Sequence, residues 1–435
     1  MFNTFQRQKN VLEIKKRKIH SDFGNSSSKD GTVTADRFHQ AIAPIILVIQ
    51  IFGIFPLGNV MARNPGDYKF GRLHLCYWIS AIAIFGGYAL ATLSINRVWS
   101  KLNVFNIDEA LFFGINATCS VITWKIAREW KFLTTRWYHT EELFLTDAFV
   151  RVSLKWKIRL LAVTILLLAL AEHSMCVLSN ILSLYKVAWN CKWDIPDHFH
   201  FYSSANFQSV FKVFPYNVPM AIYNQYVIIS MTFTWNFVDL FIILVSIGIH
   251  ARFHQLNIFI ESRIHRKQDE QFWEQIRILY TTLCELMDVL NTHISKLMFI
   301  SFGNDLYVLC KQISNANAHL PFFINKLYFL YSFTFLLLRT FLMFWYCSKV
   351  HDVSQEPFQL IEKVSSDDFC EELRRIQMYS KKGVGFSGLG LFRVTRQILL
   401  SVAGTIVTYE LVMAMYRRRS PVFEFEPNCD MPKLV

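Results

Sequence analysis

Long apolar segments alternate with polar, charge-rich segments along most of this chain. A stretch of about 20 apolar residues is long enough to cross the hydrocarbon core of a bilayer as a helix. Eight segments reach or approach that length: 40–61, 73–95, 108–128, 160–185, 226–249, 297–318, 327–347 and 392–416. The pattern predicts an all-α membrane protein that crosses the bilayer several times.

The segments between the apolar runs differ in their content of Lys and Arg. Three of them are long and basic: 129–159, 250–296 and 348–391. The segment 187–225 has only two such residues, Lys192 and Lys212. Because basic loops of membrane proteins lie on the cytoplasmic side, the first three are predicted to be cytoplasmic and the last extracellular.

Fixing the sides of these loops also fixes the direction of each helix, because every crossing changes side. If the basic tail 1–37 is cytoplasmic, seven runs cross the bilayer and 40–61 does not. Pro44 and Pro56 interrupt that run, and proline breaks helical hydrogen bonding. We therefore predict a re-entrant or interfacial segment over 38–61, a cytoplasmic N-terminus and an extracellular C-terminus.

An alternative topology makes 40–61 a span and places the N-terminus outside. The three arginines at 417–419 favour it, because the preferred topology puts them on the extracellular side. In the preferred topology the parts of the chain are a tail (1–37), a re-entrant segment (38–61), ligand-binding helices (72–250) with the outer loop 187–225, a cytoplasmic helical extension (251–296), two further spans (297–347), a cytoplasmic anchor loop (348–391), a pore helix (392–416) and a C-terminal tail (417–435).

Composition agrees with a membrane protein and excludes several functions. Hydrophobic residues make up 53% of the chain and the mean hydropathy is +0.26, whereas soluble domains are about 45–50% apolar. The net charge of +12 is accounted for by cytoplasmic basic loops, so we expect no nucleic-acid partner. The cysteines and histidines show no metal-binding spacing and no catalytic motif is present. We therefore expect no enzyme, no metal site and no cofactor.

The predicted helix 226–249 carries a polar stripe on one face. Positions i, i+3, i+4 and i+7 lie on the same side of a helix, and here they are Thr232, Trp235, Asn236 and Asp239. A carboxylate beside an indole is typical of a carbohydrate subsite, where the acid binds hydroxyls and the ring stacks on C–H surfaces. The alternative is a helix-packing network in which Asp239 pairs with a base such as Arg339.

The run 297–318 has the densest polar cluster of any apolar run. Its members are Ser301, Asn304, Asp305, Tyr307, Lys311 and Gln312. Ionisable residues inside membrane helices are expensive and indicate function, so we predict that Asp305, Asn304 and Gln312 contact a ligand. The alternative is an ion pair of Asp305 with Lys311 or with Arg339 that holds helices together.

Two further pairs of polar residues interrupt or begin apolar runs. Glu172 and His173 lie near the middle of 160–185, where they form either a titratable switch or a packing pair. Asp108 and Glu109 begin their helix, where acids cap the N-terminus and pair with the helix dipole. Alternatively, they form the rim of a ligand pocket.

The final run, 392–416, combines apolar with small and polar residues. Its second half contains Gly404, Thr405, Thr408, Tyr409 and Glu410. A helix facing only lipid would not carry a carboxylate, whereas small and polar residues suit close packing against copies of itself or contact with water. We predict that this helix lines a conduction path, and the alternative is a packed helix of a bundle.

Several short motifs in order resemble the sugar-receptor branch of the insect gustatory receptors. Four are internal: TWNFVDLFIILVSIG at 234–248, ISFGNDLYVLC at 300–310, LYFLYSF at 327–333 and AGTIVTYELV at 403–412. The fifth is the family's C-terminal signature, Thr-Tyr followed by five mostly hydrophobic residues and Gln-Phe, which begins here at Thr408 and Tyr409. The chain departs from it at Met415 and Tyr416, which replace Gln and Phe.

This resemblance implies a sugar receptor in the cell membrane of sensory-neuron dendrites that acts as a ligand-gated nonselective cation channel. Its expected partners are a mono- or disaccharide, monovalent cations and calcium, membrane lipid, and other subunits in a homo- or heterotetramer. On this basis ligand binding is assigned to Asp305, Asn304, Trp235, Asp239, Glu109, Glu172, His173 and Gln312. The pore is assigned to Thr405, Thr408, Tyr409, Glu410 and Met415.

Other functions remain compatible with the residues. One is a metabotropic seven-helix receptor, which predicts an extracellular N-terminus and a cytoplasmic C-terminus. Another is a gustatory channel for a ligand other than sugar. A secondary transporter would show internal repeats and broken helices, and the sequence has no repeat.

Overall fold

The computed structural model of the chain describes residues 36–101, 107–195, 197–315 and 322–417. Within these ranges the chain is predominantly helical, as predicted. Its helices are α1 (Phe38–Ile49), α2 (Leu75–Lys101), α3 (Asp108–Glu142), α4 (Leu154–Asn190), α5 (His198–Asn206), α6 (Gln208–Phe211), α7 (Val218–Arg263), α8 (Glu270–Asn315), α9 (Phe323–Ile361), α10 (Glu371–Lys382) and α11 (Arg396–Arg417). The tail at 418–435, and 1–37 apart from its last two residues, lie outside the described ranges.

Five helices of the described ranges are long and apolar enough to cross a bilayer. They are the Leu75–Asn96 part of α2, together with α3, α4, α7 and α9. The predicted spans 297–318 and 392–416 correspond to α8 and α11, which are helical but are not among these five. The total of seven spans therefore stays a prediction.

Helix α7 is the centre of the bundle. Its most apolar stretch is 78% buried inside the chain, whereas the corresponding stretch of α4 is only 17% buried. Phe237 and Phe241 are completely enclosed, and α7 packs against α9, α8, α3 and α4. Helix α4 therefore lies at the periphery, where its apolar side chains face outward.

The N-terminal segment forms a short helix and then turns back. Helix α1 has 12 residues, about 18 Å at 1.5 Å per residue, which is too short to cross a hydrocarbon core. Pro44 lies inside it, and the chain turns at Gly53, whose φ of 74° favours glycine. This geometry agrees with a re-entrant or interfacial segment.

A buried carboxylate attaches α1 to the rest of the bundle. Both oxygens of Glu141 accept from the backbone N–H of Phe38 at 3.2 Å, at the first turn of α1. Arg252 donates to the same carboxylate at 2.8 Å through Nη2 and also to the backbone oxygen of Asp36 at 2.9 Å. Glu141 is completely buried and Arg252 is 1% exposed.

The segment 251–296, predicted to be a helical extension, is mostly helical and packs within its own chain. Helices α7 and α8 continue past the predicted spans, and the apolar stripe of α8 is buried. The stripe comprises Trp273, Ile276, Leu279, Leu283, Leu286 and Leu290, each at most 3% exposed. This stripe is therefore buried by packing within its own chain.

The last apolar run begins with a hairpin instead of a helix. Strand β1 (Ser387–Gly388) pairs with β2 (Phe392–Arg393) in antiparallel fashion, and α11 starts only at Arg396. The predicted helix 392–416 is thus four residues shorter at its start. Leu400, Val407 and Met415 of α11 are 73%, 55% and 64% exposed, so this helix is covered by little of its own chain.

Candidate ligand-binding site and pore helix

Three charged side chains meet between the central helices and form what we call the charged core: Asp239 on α7, Asp305 on α8 and Arg339 on α9. Arg339 Nε lies 2.6 Å from Asp239 Oδ2, and its Nη2 lies 3.7 Å from Asp305 Oδ1. All three side chains are at most 1% exposed. One guanidinium therefore links three helices through two carboxylates.

Hydrogen bonds from neighbouring side chains complete the charged core. The Trp235 indole N–H donates to Asp305 Oδ1 at 2.8 Å, and the Thr340 hydroxyl donates to Oδ2 at 2.8 Å. Ser301 donates to Asp239, and Arg339 donates to Asn236. The Arg339 guanidinium also lies 4.7 Å from the ring centroid of Trp235, in reach of a cation–π contact.

The charged core has the geometry of the helix-packing network that the sequence offered as an alternative. Asp239 and Asp305 have 0% exposure, whereas Trp235 is partly exposed. Carboxylates enclosed in this way bind the protein's own donors, and breaking such a pair is strongly destabilising. The structure thus brings Trp235, Asp239 and Asp305 together as predicted, but exposes only the indole.

A second polar group, the α4–α9 polar cluster, comprises Glu172 of α4, Gln312 of α8 and Ser332 of α9, together with Asn325, which lies about two helical turns before Ser332 on α9. Ser332 donates to Glu172 Oε1 at 2.6 Å, and the Gln312 amide nitrogen donates to the Ser332 hydroxyl at 3.2 Å. Asn325 donates to Ser183 at 2.9 Å. Gln312 Oε1 and Asn325 Oδ1 are buried without a hydrogen-bond partner among the described residues. Buried acceptors are nearly always satisfied, so these two oxygens mark a place for a donor.

His173 does not join this cluster although it follows Glu172 in sequence. Successive residues of a helix point about 100° apart, and the His173 ring lies 6.4 Å from the ring of Phe233 on α7. The packing pair of Glu172 with His173 is therefore not formed, and the titratable switch stays a prediction. The packing of Glu172 is instead through Ser332.

The first turn of α3 lies beside the C-terminal end of α8. Lys311 forms a salt bridge with Asp108, and the Tyr307 hydroxyl donates to Asp108 at 2.5 Å. Glu109 accepts from Ser209 of α6 at 3.0 Å. The suggested Asp305–Lys311 pair is not formed, because Lys311 pairs with Asp108. Asn304 is buried at 7% exposure.

Comparison with known families decides what kind of protein this is. Residues 20–424 match the family model described as trehalose receptor. The chain belongs to the trehalose receptor family. This confirms the resemblance to sugar-type insect gustatory receptors.

Relatives of this trehalose receptor family member carry names that agree. It is 31% identical over 393 residues to the Drosophila melanogaster gustatory receptor for sugar taste 61a, covering 88% of this chain and 89% of the relative. It is 27% identical over 397 residues to the D. melanogaster gustatory receptor 5a for trehalose, with 90% and 87% covered. These relatives are receptors and not enzymes.

Solved structures share the fold of this family member. The insect olfactory receptor OR5 from Machilis hrabei, in complex with eugenol, superposes with a TM-score of 0.61 at 16% identity. The match covers 86% of this chain and 97% of the olfactory receptor. At this identity the likeness establishes the fold alone.

The residues assigned to the pore lie on the last helix of this trehalose receptor family member. Thr405 and Thr408 are exposed, and their hydroxyls donate to backbone oxygens four residues earlier at 2.9 and 2.8 Å. Tyr409 is half-buried and Met415 is 64% exposed. The side chain of Glu410 lies outside the described part of the helix.

Sequence reasoning missed one buried ion pair, Glu141 with Arg252. Both residues fall in or beside segments that are rich in charge, so neither stood out as unusual. Gln255, which accepts from Arg252 at 2.6 Å, was missed for the same reason. Arg339 could be found from the sequence, because it is the sole charged residue of the run 327–347.

Proposed function

We propose that this chain is a sugar receptor of the cell membrane whose ligand binds from the outer side at the α4–α9 polar cluster. The supporting observation is the pair of buried amide oxygens, Gln312 Oε1 and Asn325 Oδ1, that lack donors among the described residues. Sugar hydroxyls are donors as well as acceptors and would satisfy them. The names of the relatives support a sugar, and trehalose in one case.

The other predicted ligand residues lie outside this cluster and would contribute from there. Trp235 is partly exposed and is oriented by its hydrogen bond to Asp305, so we propose that its ring stacks on the sugar. Asp239 and Asp305 then act by positioning that ring, with Asn304 above them. Glu109 belongs to the mouth at the outer end of α3.

Glu172→Gln and Gln312→Leu are each expected to raise the half-maximal sugar concentration at least tenfold. Glu172→Gln removes the charge of the carboxylate and Gln312→Leu removes the amide that a hydroxyl would contact, and one hydrogen bond to a charged group contributes about 1.5–3 kcal/mol. The measurement is a dose–response curve to trehalose, sucrose and glucose in transfected cells. Surface labelling of each variant is measured in parallel.

Ser174→Ala is the matched control for these variants. Ser174 lies on the exposed side of α4 and bonds only its own helix, donating to Leu170 at 2.8 Å. Its response should equal that of the parent. Unchanged responses of Glu172→Gln and Gln312→Leu at full surface expression would exclude this location for the ligand.

We propose further that the receptor is a ligand-gated cation channel of four subunits whose pore is lined by α11. The exposed apolar and hydroxyl side chains of α11 support this, because they suit contact with other subunits and with water.

Cys191, just after α4, is disulfide-bonded. Disulfides persist in oxidising compartments, which supports the extracellular side predicted for 187–225.

Sugar applied to an outside-out patch from cells expressing this chain is expected to open an inward cation current. A channel carries its own pore, so the current should persist without cytoplasm, whereas a metabotropic receptor should fall silent.

Replacing Thr408 by Val should shift the relative permeability of sodium and calcium, with Thr164→Val on the exposed side of α4 as control. Tags accessible outside intact cells at the N-terminus, and not at the C-terminus, would overturn this topology.

A further inference from the structure

A cleft of about 410 Å³ lies between the N-terminal segment and the first turn of α2. Its apolar walls include Leu47, Leu57, Met61 and Leu75, and its polar walls include Asn59 and His74. The volume lies within the range of roughly 300–1,000 Å³ that is typical of ligand pockets. We call it the interfacial cleft.

The apolar walls of the interfacial cleft are open to the outside of the protein. Leu47 is 50% exposed, Met61 is 62% exposed and Leu75 is 75% exposed. Exposed apolar surface of this extent in one place indicates contact with lipid or another macromolecule.

A stripe along α2 indicates which of the two it is. Leu75, Trp78, Ile82 and Phe85 follow each other at helical spacing and are 75%, 51%, 49% and 72% exposed. The stripe continues the cleft along a membrane-spanning helix, so the cleft opens toward hydrocarbon. The Trp78 indole donates to the backbone oxygen of Arg72 at 3.0 Å, as expected for tryptophan at a membrane interface.

Three exposed basic residues adjoin the lining of the cleft along the chain: Arg63, Lys69 and Arg72. Arg63 and Arg72 each lie two positions from a lining residue, and Lys69 pairs with the lining residue Gly58. They form no salt bridge within the described part of the chain, and Asp67 is the one acid among residues 61–75. Backbone hydrogen bonds hold this basic rim in place: Gly58 and Lys69 exchange a pair at 2.6 and 3.0 Å.

The buried ring of His39 also fixes the rim. Its Nε2 lies 3.1 Å from the backbone oxygen of Arg63. Burial lowers the pKa of His39 to about 4, so the ring is neutral at physiological pH and donates this hydrogen bond. The Arg63 side chain is therefore presented from a fixed backbone.

We propose that the interfacial cleft binds an anionic phospholipid of the cytoplasmic leaflet, with acyl carbons between Leu47, Met61 and Leu75 and the phosphate on the basic rim. The proposal rests on the topology of the proposed function, which places the start of α2 at the cytoplasmic surface. That leaflet is the one rich in anionic lipid, and basic pockets beside membrane helices on this side bind anionic head groups.

Native mass spectrometry of the full chain, released from micelles containing phosphatidylserine or phosphatidylcholine, tests the proposal. We expect the parent to retain phosphatidylserine at a concentration at least tenfold below that needed for phosphatidylcholine. Arg63→Gln/Lys69→Gln/Arg72→Gln should lose that preference. The matched control Lys267→Gln/Arg374→Gln removes two exposed basic residues of the cytoplasmic side, 86% and 68% exposed, and should keep it.

A cavity-filling variant, Met61→Trp, separates the two halves of the site. It should reduce retention of both lipids, because the acyl chain loses its space while the basic rim stays intact. Equal retention of the two lipids by the parent, or competition by water-soluble glycerophosphoserine as effective as the whole lipid, would overturn the proposal. The assay uses no sugar and no current, so its failure is distinguishable from failure of the proposed receptor function.

Discussion

Arg339→Leu is expected to cause the largest loss of stability of any single substitution in the bundle. It leaves Asp239 and Asp305, both completely buried, without their cation. Removing one partner of a buried ion pair costs about 3–5 kcal/mol. The variant should therefore melt far below the parent by fluorescence-detected size-exclusion chromatography, and little of it should reach the cell surface.

A triple variant distinguishes charge from packing in this result. Arg339→Leu/Asp239→Asn/Asp305→Asn has no charge left in the charged core and should recover much of the lost stability. Arg339→Lys should recover part of it, because an ammonium cannot bridge both acids as a guanidinium does. Arg374→Leu, at a residue whose side chain is 68% exposed, serves as control. A melting temperature of Arg339→Leu equal to that of the control would show that the charged core does not stabilise the bundle.

Glu141→Ala is expected to release the N-terminal segment from the bundle. The substitution removes the acceptor of the Phe38 N–H and leaves Arg252, 1% exposed, without its carboxylate. The cost is again of the order of 3–5 kcal/mol, and it falls on α1 first. Hydrogen exchange of the α1 amides should accelerate by orders of magnitude relative to those in the middle of α7.

The isosteric variant Glu141→Gln shows which contact dominates. Its amide oxygen still accepts from Phe38 but no longer neutralises Arg252, so intermediate protection is expected. Glu129→Ala is the control, because Glu129 pairs with Arg128, an exposed neighbour. If α1 keeps its protection in Glu141→Ala, the attachment of the segment must come from its apolar side chains alone.

The helices of this fold were predictable because apolar runs and periodicity determine them locally. The pairing of Asp239 and Asp305 with Arg339 was also accessible, since an acid in hydrocarbon needs a base and the run 327–347 supplies a single arginine. What the sequence left open was whether these two acids bind a ligand or pair with Arg339 inside the bundle. That choice depends on the exposed surface, which only the packed bundle defines.

The outer contacts could not be predicted, because they depend on how each helix is rotated about its axis. Lys311 pairs with Asp108, about two hundred positions earlier in the chain, and not with Asp305. Likewise Glu172 contacts Ser332 while His173 turns away. Apolar periodicity was too weak along these nearly uniform runs to fix the rotation.

The exposure of α11 has a consequence for how the protein matures. In the proposed tetramer, α11 acquires its final surroundings only when other subunits associate with it. Association follows mass action, so a partner that binds the folded form raises its apparent stability, and the increase grows with the concentration of that partner. In the proposed tetramer, expression level and the supply of partner subunits would then set how much receptor survives the quality control of the secretory pathway.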